Sequence, residues 1–348
     1  MSATVVGPAG RTAAIARSRP WTPAALLLAA ALVLVFPGAS GASGTAGTST
    51  DPVGAASRVL LSVVDTTRTA AAVAADVTAA GGSVEAVFDV AGALVAVLPA
   101  GVAVPLGTVV VPDVALSFTA APAAVADVPG GTYAATLGRA AGFDGSGVTV
   151  AVVDTGVADV PDLAGRVRHV NVSGAAPGDG LGHGTFLAGL VAGDGTSSGG
   201  TYTGVAPGAR VLDVQVATAD GSTTLSRVLA GLQAVANARA DDPTVKVLSL
   251  ALSSGSPLPA GIDPLARGLD RLWARGVTVV VAAGNDGPAE GTVGSPGNDT
   301  TLITVGALDE ARTSARTDDT VADFSSRGTV DGEVKPDLTA PGVSLVST

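Results

Sequence analysis

Three polar residues in the second half of the sequence stand where an apolar segment begins or ends. Asp154 ends the run VTVAVVD, His183 lies in GLGHGTFLAGLVAG, and Asn285 ends VTVVVAAGN. An imidazole can act as a general base, and a carboxylate beside apolar residues needs a partner. An amide at the tip of a strand can donate hydrogen bonds into a site. The three side chains could therefore carry out acid–base chemistry together.

His183 is predicted to begin a buried helix, because the apolar run TFLAGLVAG follows it. The dipole at a helix N-terminus favours the neutral ring, whereas a nearby aspartate favours the charged ring. Gly182 and Gly184 leave room for close approach around the imidazole. These opposed influences suit a base that works near neutral pH. The other histidine, His169 in GRVRHVNV, is interpreted as a surface or strand-end residue.

Each of the three residues also has an ordinary explanation when it is taken alone. Asp154 could cap a helix or bind a ribose, His183 could be structural, and Asn285 could belong to a turn. A dinucleotide site would need a glycine fingerprint after the first strand, and none follows Asp154. The missing phosphate loop therefore disfavours a nucleotide-binding domain.

Val-rich apolar segments alternate with amphipathic ones from Thr132 onwards. The predicted strands are GVTVAVVDTGV, ARVLDVQV, TVKVLSLAL, VTVVVAAGN and TLITVGAL, and the predicted helices are TTLSRVLAGLQAVANARA and LARGLDRLWARG. This alternation indicates an α/β fold with a mostly parallel sheet covered by helices on both faces. Sites in such folds lie at the carboxyl ends of the strands, where Asp154 and Asn285 are expected.

An earlier region has a different pattern of elements. SRVLLSVV is predicted as a strand, TRTAAAVAADVTAAGG as a helix, SVEAVFDVAGALVAVLP as two strands and GTVVVPDVALSF as a last strand. The order β-α-β-β-(α)-β predicts a small α+β domain of the ferredoxin-like, split β-α-β type. It contains no histidine, cysteine or carboxylate cluster, which indicates a folding or packing module. The stretch TAAPAAVADVPGG separates it from the second region.

The N-terminus has the order of a secretory signal peptide. Arg11, Arg17 and Arg19 precede an apolar run from Ala24 to Phe36, and small residues follow. The run is shorter than the roughly 20 residues of a bilayer span. We expect a secreted bacterial protein whose membrane contact is limited to this segment; an uncleaved segment would anchor the protein, and a buried core helix is the structural alternative.

Composition sets limits on the function. The 348 residues include 30 acidic and 19 basic side chains, and this balance argues against nucleic acids and anionic membrane surfaces as partners. The absence of cysteine excludes disulfides and thiolate metal sites. The predicted regions are 1–45 as signal peptide and linker, 46–125 as the small domain and 130–348 as the α/β domain.

Four segments, VAVVDTGV, GHGTFLAG, VVAAGNDGP and DFSSRG…KPDLTAPG, resemble in this order the subtilisin-like serine peptidases, over roughly Gly138 to Thr348. The resemblance implies that Asp154 orients the imidazole, His183 is the general base and Asn285 completes the oxyanion hole. It implies hydrolysis of peptide bonds in protein or peptide substrates through an Asp-His-Ser triad. The small domain resembles the family's propeptide, which assists folding and inhibits the enzyme.

The resemblance also implies a pocket for the substrate side chain before the scissile bond. Its two walls would be Leu252, Ser253 and Ser254 on one side and Ala282, Ala283 and Gly284 on the other. Small apolar walls favour an apolar or aromatic side chain. Two departures are Ser253-Ser254, where glycines are common in the family, and Phe186, where many members have a second histidine. No cofactor is expected; structural calcium is common in the family, but the sequence shows no clear ligand cluster.

The nucleophile is the missing member of the expected triad. In the family, the segment that resembles KPDLTAPGVSLVST is followed shortly by a Gly-Thr-Ser at a helix start, and the sequence ends before it. Gly195, Thr196 and Ser197 lie in a Gly-rich loop without a following apolar helix, so Ser197 is not expected to replace it. Four other serines match structural positions of the family: Ser325, Ser326, Ser344 and Ser347. We therefore expect an inactive peptidase domain that is incomplete at its C-terminus; the alternative is a pseudoenzyme or peptide-binding module that retains the groove.

Overall fold

Two main sheets organise the chain in the computed structural model, which describes residues 56–118, 142–253, 258, 261–313 and 315–347. A four-stranded antiparallel sheet comes first, and an eight-stranded, mostly parallel sheet follows. Both belong to the compact unit Val53–Thr348. The predicted signal peptide and the stretch TAAPAAVADVPGG lie outside the described residues.

The first sheet is built from β1 (Ser57–Val63), β2 (Ser83–Phe88), β3 (Ala93–Leu98) and β4 (Thr108–Val111). Its order is β2-β3-β1-β4, and every neighbouring pair is antiparallel. Because β3 lies between β1 and β2, the sheet has the predicted split β-α-β order. Helix α1 (Ala70–Ala79) packs on one face through its buried alanine and valine side chains.

The sequence prediction for this region differs from the structure at two points. Residues 99–107 form turns instead of the optional second helix. The segment predicted as one last strand divides into β4 and a separate strand, β5 (Ala115–Ser117). The break falls at Pro112, which has no N–H to donate to a ladder. Strand β5 leaves the first sheet and pairs with a later part of the chain.

The second sheet has the order β13-β12-β11-β10-β6-β8-β7, and β16 also pairs with β12. Its strands are β6 (Thr149–Asp154), β7 (Val167–Asn171), β8 (Arg210–Gln215), β10 (Val245–Leu250), β11 (Thr278–Ala282), β12 (Ile303–Asp309), β13 (Thr320–Val321) and β16 (Leu338–Pro341). All pairs are parallel except β12–β13. The central strand β6 is buried at every position, which explains its unbroken apolar sequence.

Helices cover both faces of this sheet, as predicted. Helix α2 (His183–Ala192) packs on the face that carries Val150 and Val152, whereas α3 (Leu225–Asp241) and α4 (Pro264–Ala274) pack on the other. The N-terminus of α3 is capped by the hydroxyl of Thr224, which accepts the N–H of Arg227. Asp263 caps α4 in the same way and Pro264 occupies its first turn. These local signals fix where each helix begins.

Several short strands were not predicted from the sequence. They are β7, β9 (Ser222–Thr224), β13, β14 (Gly328–Val330), β15 (Glu333–Lys335) and β16. β7 is an edge strand with mostly exposed or half-exposed side chains, so it lacks the apolar pattern of a central strand. Its hydrogen bonds to β8 decide its conformation. Strands β14 and β15 pair with each other.

The first sheet packs on helices α3 and α4. Leu60, Phe88 and Val95 share one apolar cluster with the buried side chains of α3 and α4. The side-chain oxygen of Gln233 on α3 accepts the N–H of Val90 at 3.0 Å. Arg271 on α4 donates to a backbone carbonyl of the β2–β3 turn at 2.9 Å. The two regions are therefore joined by apolar packing and by directed hydrogen bonds.

Candidate active site

Asp154 and His183 meet at the carboxyl end of β6. Asp154 is the last residue of the strand and His183 is the first residue of α2. Nδ1 of His183 lies 2.7 Å from Oδ1 of Asp154. The sequence prediction that these side chains lie within hydrogen-bond reach is confirmed. The pair can hold the imidazole in one tautomer and leave Nε2 available for proton transfer.

Glycines allow α2 to begin directly against the end of β6. A Cβ atom on Gly184 would lie 2.1 Å from the carbonyl oxygen of Gly156, so only glycine fits there. Gly156 has φ of 116°, in the region that favours glycine. The close approach predicted around the imidazole is therefore an approach between two backbone segments, and it brings the helix end to the carboxylate.

The pKa of His183 lies above its ordinary value. Burial lowers it, but the hydrogen bond that the ring donates to Asp154 and the charges of Asp154 and Asp179 outweigh that effect. The side chain is 18% exposed, so the ring keeps a limited opening to the surface. Such a base is held in its charged form more firmly than a free histidine.

Two residues near His183 were missed by the sequence analysis. Asp179 accepts four hydrogen bonds at the start of α2. Phe118, the residue after β5, lies with its ring centroid 5.5 Å from that of His183, at a tilt of 47°. Asp179 lies three residues before the N-cap Gly182, and an acidic side chain just before a helix is a signal that could have been noticed. No local signal connects Phe118 with His183, because 65 positions separate them in the chain.

Asn285 follows β11 after two intervening residues and its side chain is exposed. Its loop is held by backbone hydrogen bonds: Ala283 donates to Val305 and Gly284 accepts from Ser326. Among the described contacts the Asn285 amide has no partner, so its N–H groups are free to donate to a bound group. The structure thus places Asn285 at the carboxyl end of a strand of the same sheet, as expected.

The predicted pocket residues occupy the ends of two adjacent parallel strands, β10 and β11. Leu252 and Ala283 have buried side chains, whereas Ser253, Ala282 and Gly284 are half-buried. Ser253 donates its hydroxyl to the carbonyl of Ser295 at 3.3 Å. Ser254 lies outside the described residues.

Ser197, Ser325 and Ser326 are placed or used elsewhere, whereas Ser347 donates its hydroxyl to the carbonyl of Phe186, in the first turn of α2, at 2.7 Å. Ser197 follows the C-terminal end of α2, whereas His183 begins that ten-residue helix. At a rise of 1.5 Å per residue, the two lie about 15 Å apart. Ser325 and Ser326 are buried and accept backbone N–H groups of Ala307 and Asp286. Their hydroxyls are used in loop structure.

A second His–Asp pair lies elsewhere on the same sheet. Nδ1 of His169 on β7 lies 2.8 Å from Oδ2 of Asp213 on β8, its register partner. Burial raises the pKa of Asp213 to about 6, although the hydrogen bond from His169 acts against this. The interpretation of His169 as a surface residue is right for its exposure, but it did not anticipate a buried carboxylate partner.

Within the described ranges, no group of three or more histidine, cysteine or acidic side chains could hold a metal ion. No helix in that same part of the chain combines the length and apolar character needed to cross a bilayer.

Comparisons with known proteins agree with this geometry. Residues 145–348 match the Subtilase family. The chain is 45% identical over 212 residues to Serine protease AprX of Bacillus subtilis (strain 168). This alignment covers 58% of this chain and 48% of AprX. The chain is 36% identical over 215 residues to Subtilisin Savinase of Lederbergia lenta, covering 60% of this chain and 68% of that protein. The matched part thus spans about half the length of AprX.

Solved structures show the same architecture. Sphericase superposes with a TM-score of 0.55 at 31% identity, over 65% of this chain and 76% of that chain. S41 Psychrophilic Protease gives a TM-score of 0.52 at 30% identity. The predicted α/β fold with a mostly parallel sheet is confirmed as a subtilisin-like fold.

Proposed function

The chain belongs to the subtilase family, and from this premise we propose that it carries the acid–base part of a serine endopeptidase of the subtilisin type. The observation that carries the proposal is the 2.7 Å contact between His183 Nδ1 and the buried carboxylate of Asp154. It lies at the carboxyl end of a parallel sheet, next to Phe118, which follows the extended strand β5. The substrates would be proteins or peptides.

In the proposed reaction, Asp154 accepts the Nδ1–H of His183, so that Nε2 is free to act as the base. Nε2 takes the proton of a serine hydroxyl while the serine oxygen attacks the scissile carbonyl carbon. The protonated ring then gives this proton to the leaving amine, and Asp154 stays ionised throughout. The exposed amide of Asn285 would donate a hydrogen bond to the oxyanion of the intermediate.

We propose that the nucleophile is not one of the serines described above. Subtilases carry it in a Gly-Thr-Ser segment shortly after the sequence that Lys335–Thr348 resembles. We propose that the 348-residue polypeptide by itself forms no acyl-enzyme and hydrolyses no peptide bond, because acyl transfer needs that hydroxyl. The same chain followed by a subtilase Gly-Thr-Ser segment and its helix, called here the extended chain, should be active.

Labelling with a fluorophosphonate probe tests this proposal. The extended chain should be labelled at the added serine, and the 348-residue chain should not be labelled. Ser197→Ala is the matched control in both forms. Ser197 also ends a Gly-Thr-Ser tripeptide, but it does not lie beside His183. Labelling of the shorter chain that disappears in Ser197→Ala would refute the assignment of the site.

A peptide-binding module that keeps the groove is the second candidate. The antiparallel pairing of β5 with β9 favours it, because the groove edge accepts an extended segment through its backbone. In this case the extended chain would bind a peptide but would neither label nor hydrolyse it. The two candidates are therefore separated by the same labelling experiment.

We further propose that the small domain predicted over 46–125, of which the structure describes residues 56–118, acts as an inhibitory propeptide. Three contacts support this role: β5 pairs with β9, Phe118 covers the His183 ring, and Asp113 accepts the N–H of Ser226 at 2.8 Å. The Phe118 N–H also donates to the carbonyl of Gly221 at 2.9 Å. A segment held in this way excludes a substrate from the face of the imidazole.

The direction of β5 predicts where the chain is cut during maturation. Phe118 is against the base, so the bond that reacts should lie within a few residues after it. In the extended chain, N-terminal sequencing of the mature product should give a start between about residues 120 and 130. Replacing the added serine with alanine should leave the chain uncut. A mature N-terminus inside the first sheet would contradict the proposed role of this region.

Export is proposed from the N-terminal segment alone. The basic residues followed by the run Ala24–Phe36 support secretion and removal of about 40 residues. N-terminal sequencing of material from the culture medium of a bacterial host checks this. Secreted protein that still begins at Met1 would contradict cleavage.

A further inference from the structure

We propose that Asp179 is a positioning residue for His183: it fixes the first turn of α2 and, through Thr155, the orientation of the His183–Asp154 pair. This inference rests on the proposed function, since it takes His183 as the general base. Asp179 itself does not reach the reacting atoms in this arrangement. It acts through the residues that it holds.

All acceptor capacity of the Asp179 carboxylate is used around the start of α2. Oδ1 accepts the N–H of Gly182 at 2.7 Å and the hydroxyl of Thr155 at 2.8 Å. Oδ2 accepts the N–H of Thr185 at 2.8 Å and its hydroxyl at 2.6 Å. Charge-assisted hydrogen bonds of this kind are about twice as strong as neutral ones.

The helix needs this partner because its own capping position has no side chain. Gly182 is the N-cap, with φ of 85° and no side-chain hydrogen bond. The first N–H groups of a helix lack partners within the helix and must find them elsewhere. Asp179 satisfies Gly182 and Thr185, and the Thr155 oxygen accepts the N–H of Gly184 at 2.9 Å. The negative charge is also favourable at this end of the helix.

Thr155 connects Asp179 to the His183–Asp154 pair. Its N–H donates to Asp154 Oδ1 at 2.8 Å, the same oxygen that contacts His183 Nδ1. Its hydroxyl donates to Asp179. The residue is buried, so these bonds are not in competition with water. A displacement of Asp179 would therefore move both the helix end that carries the imidazole and the residue that holds the carboxylate.

The charge of Asp179 also acts on the ring. Asp154 on β6 and Asp179 in the loop before α2 both raise the pKa of His183, against the effect of burial. Asp213 on β8 interacts with Asp179 electrostatically, and the Phe118 ring covers the imidazole from β5. Loss of the Asp179 charge should therefore lower the pKa of His183.

A histidine NMR titration of the full 348-residue chain tests the inference without any need for activity. The chain has two histidines, so His169→Gln assigns both signals. In Asp179→Asn the pKa of His183 should fall by about half a unit or more, since an opposite charge within a few ångströms favours the charged form. Asp194→Asn is the matched control: Asp194 accepts the N–H and hydroxyl of Thr196 beyond the other end of α2. It should leave His183 unchanged.

An unchanged His183 pKa in folded Asp179→Asn would overturn the inference. If circular dichroism shows that this variant does not fold, Thr155→Val takes its place, because it removes the hydroxyl link and keeps both carboxylates. It should lower the fraction of the Nδ1–H tautomer, read from the ¹⁵N shifts, and speed exchange of that proton. An unchanged tautomer would be equally decisive against it. Neither readout involves hydrolysis, so an inactive extended chain would refute the proposed function and not this inference.

Discussion

Two His–Asp pairs on one sheet share the same contact and differ in almost everything around it. His183 lies 2.7 Å from Asp154, and His169 lies 2.8 Å from Asp213. Both carboxylates are almost fully buried, and each has one oxygen without a hydrogen-bond partner among the described residues. The contact itself therefore does not distinguish a catalytic pair from a structural one.

Position along the strands separates the two pairs. Asp154 is the last residue of β6, where the sheet ends and loops can bring in further groups. Asp213 lies within β8, opposite Val152 of β6 and His169 of β7. A substrate can reach a side chain at the end of a strand from outside the sheet. Asp213 lies inside β8 with a strand on each side, and it is not accessible in this way.

The carboxylates of the two pairs also differ in the groups that donate hydrogen bonds to them. Asp154 Oδ1 receives the N–H of Thr155 as well as the His183 contact. Asp213 accepts hydrogen bonds from His169, at 2.8 Å, and from the N–H of Val157, and burial nevertheless raises its pKa to about 6. Burial therefore outweighs these hydrogen bonds and disfavours the ionised form of Asp213.

The surroundings of the rings also differ. The His183 ring is contacted by that of Phe118, which follows β5, and β5 pairs with β9. His169 borders an open cavity of about 420 Å³ lined mainly by residues 158–165, and Asp159 approaches its Nε2 to 3.7 Å. The two rings therefore differ in the groups that lie against them: an aromatic ring at His183, and an open cavity with a second carboxylate at His169.

The largest difference between the two His–Asp pairs is expected in catalytic activity. In the extended chain, His183→Ala should abolish hydrolysis; for subtilisin itself, loss of the base costs about 2 × 10⁶ in kcat, which sets the scale. His169→Ala should leave kcat within about twofold, because His169 does not face the groove. The measurement is kcat on a chromogenic peptide. Equal losses in both variants would show that the pair at the strand end has no special role.

Substitution of the two carboxylates should also affect kcat unequally, by a smaller factor than substitution of the two histidines. Asp154→Asn should lower kcat by about 10⁴, the order found when the orienting aspartate of such a triad is neutralised. Asp213→Asn should leave kcat nearly unchanged. Thermal unfolding of both variants provides the control for folding. A large loss of kcat in folded Asp213→Asn would mean that the two pairs are coupled in the reaction.

Asp213 should make the stability of the protein depend on pH. Its pKa is raised in the folded state from 3.8 to about 6. Its contribution to stability is therefore fully present below about pH 4 and is lost as the pH rises through 6. Relative to Asp213→Asn, the free energy of unfolding of the native chain should fall by up to about 3 kcal/mol between pH 4 and 7.

Urea unfolding at several pH values measures this difference. Asp194→Asn is the control with opposite sign: the side-chain hydrogen bond from Thr196 lowers the pKa of Asp194, so that its contribution is lost as the pH falls. A constant difference between the native chain and Asp213→Asn over this range would exclude the raised pKa.

Chemical modification should give the smallest difference. The side chain of His169 is 45% exposed and that of His183 is 18% exposed. Diethyl pyrocarbonate should therefore modify His169 a few times faster. Phe118→Ala should speed modification of His183 about severalfold by uncovering the ring, with no change at His169. Peptide mapping after short exposure gives both rates. An equal acceleration at both histidines would point to general loosening of the structure.

The sequence predicted the central strands of the large sheet, its helices and the two residues of the main pair. Long apolar runs such as VTVAVVD report burial on both sides directly, and Asp154 and His183 stand at the ends of such elements. Strong local signals, such as Asp263 followed by Pro264, also mark helix starts that the structure reproduces. These features depend on neighbours along the chain, which is the information that a sequence displays.

The groups that surround Asp154 and His183 could not be predicted from the sequence, because tertiary contacts bring them together. Strand β7 exists because β8 supplies its hydrogen bonds, and its exposed side chains give no period to detect. The pairing of β5 with β9 joins segments about a hundred residues apart, and it brings Phe118 onto His183. Asp213 received its partner and its raised pKa from register and burial. Contacts of this kind depend on distance in space, and nothing in the local sequence encodes that distance.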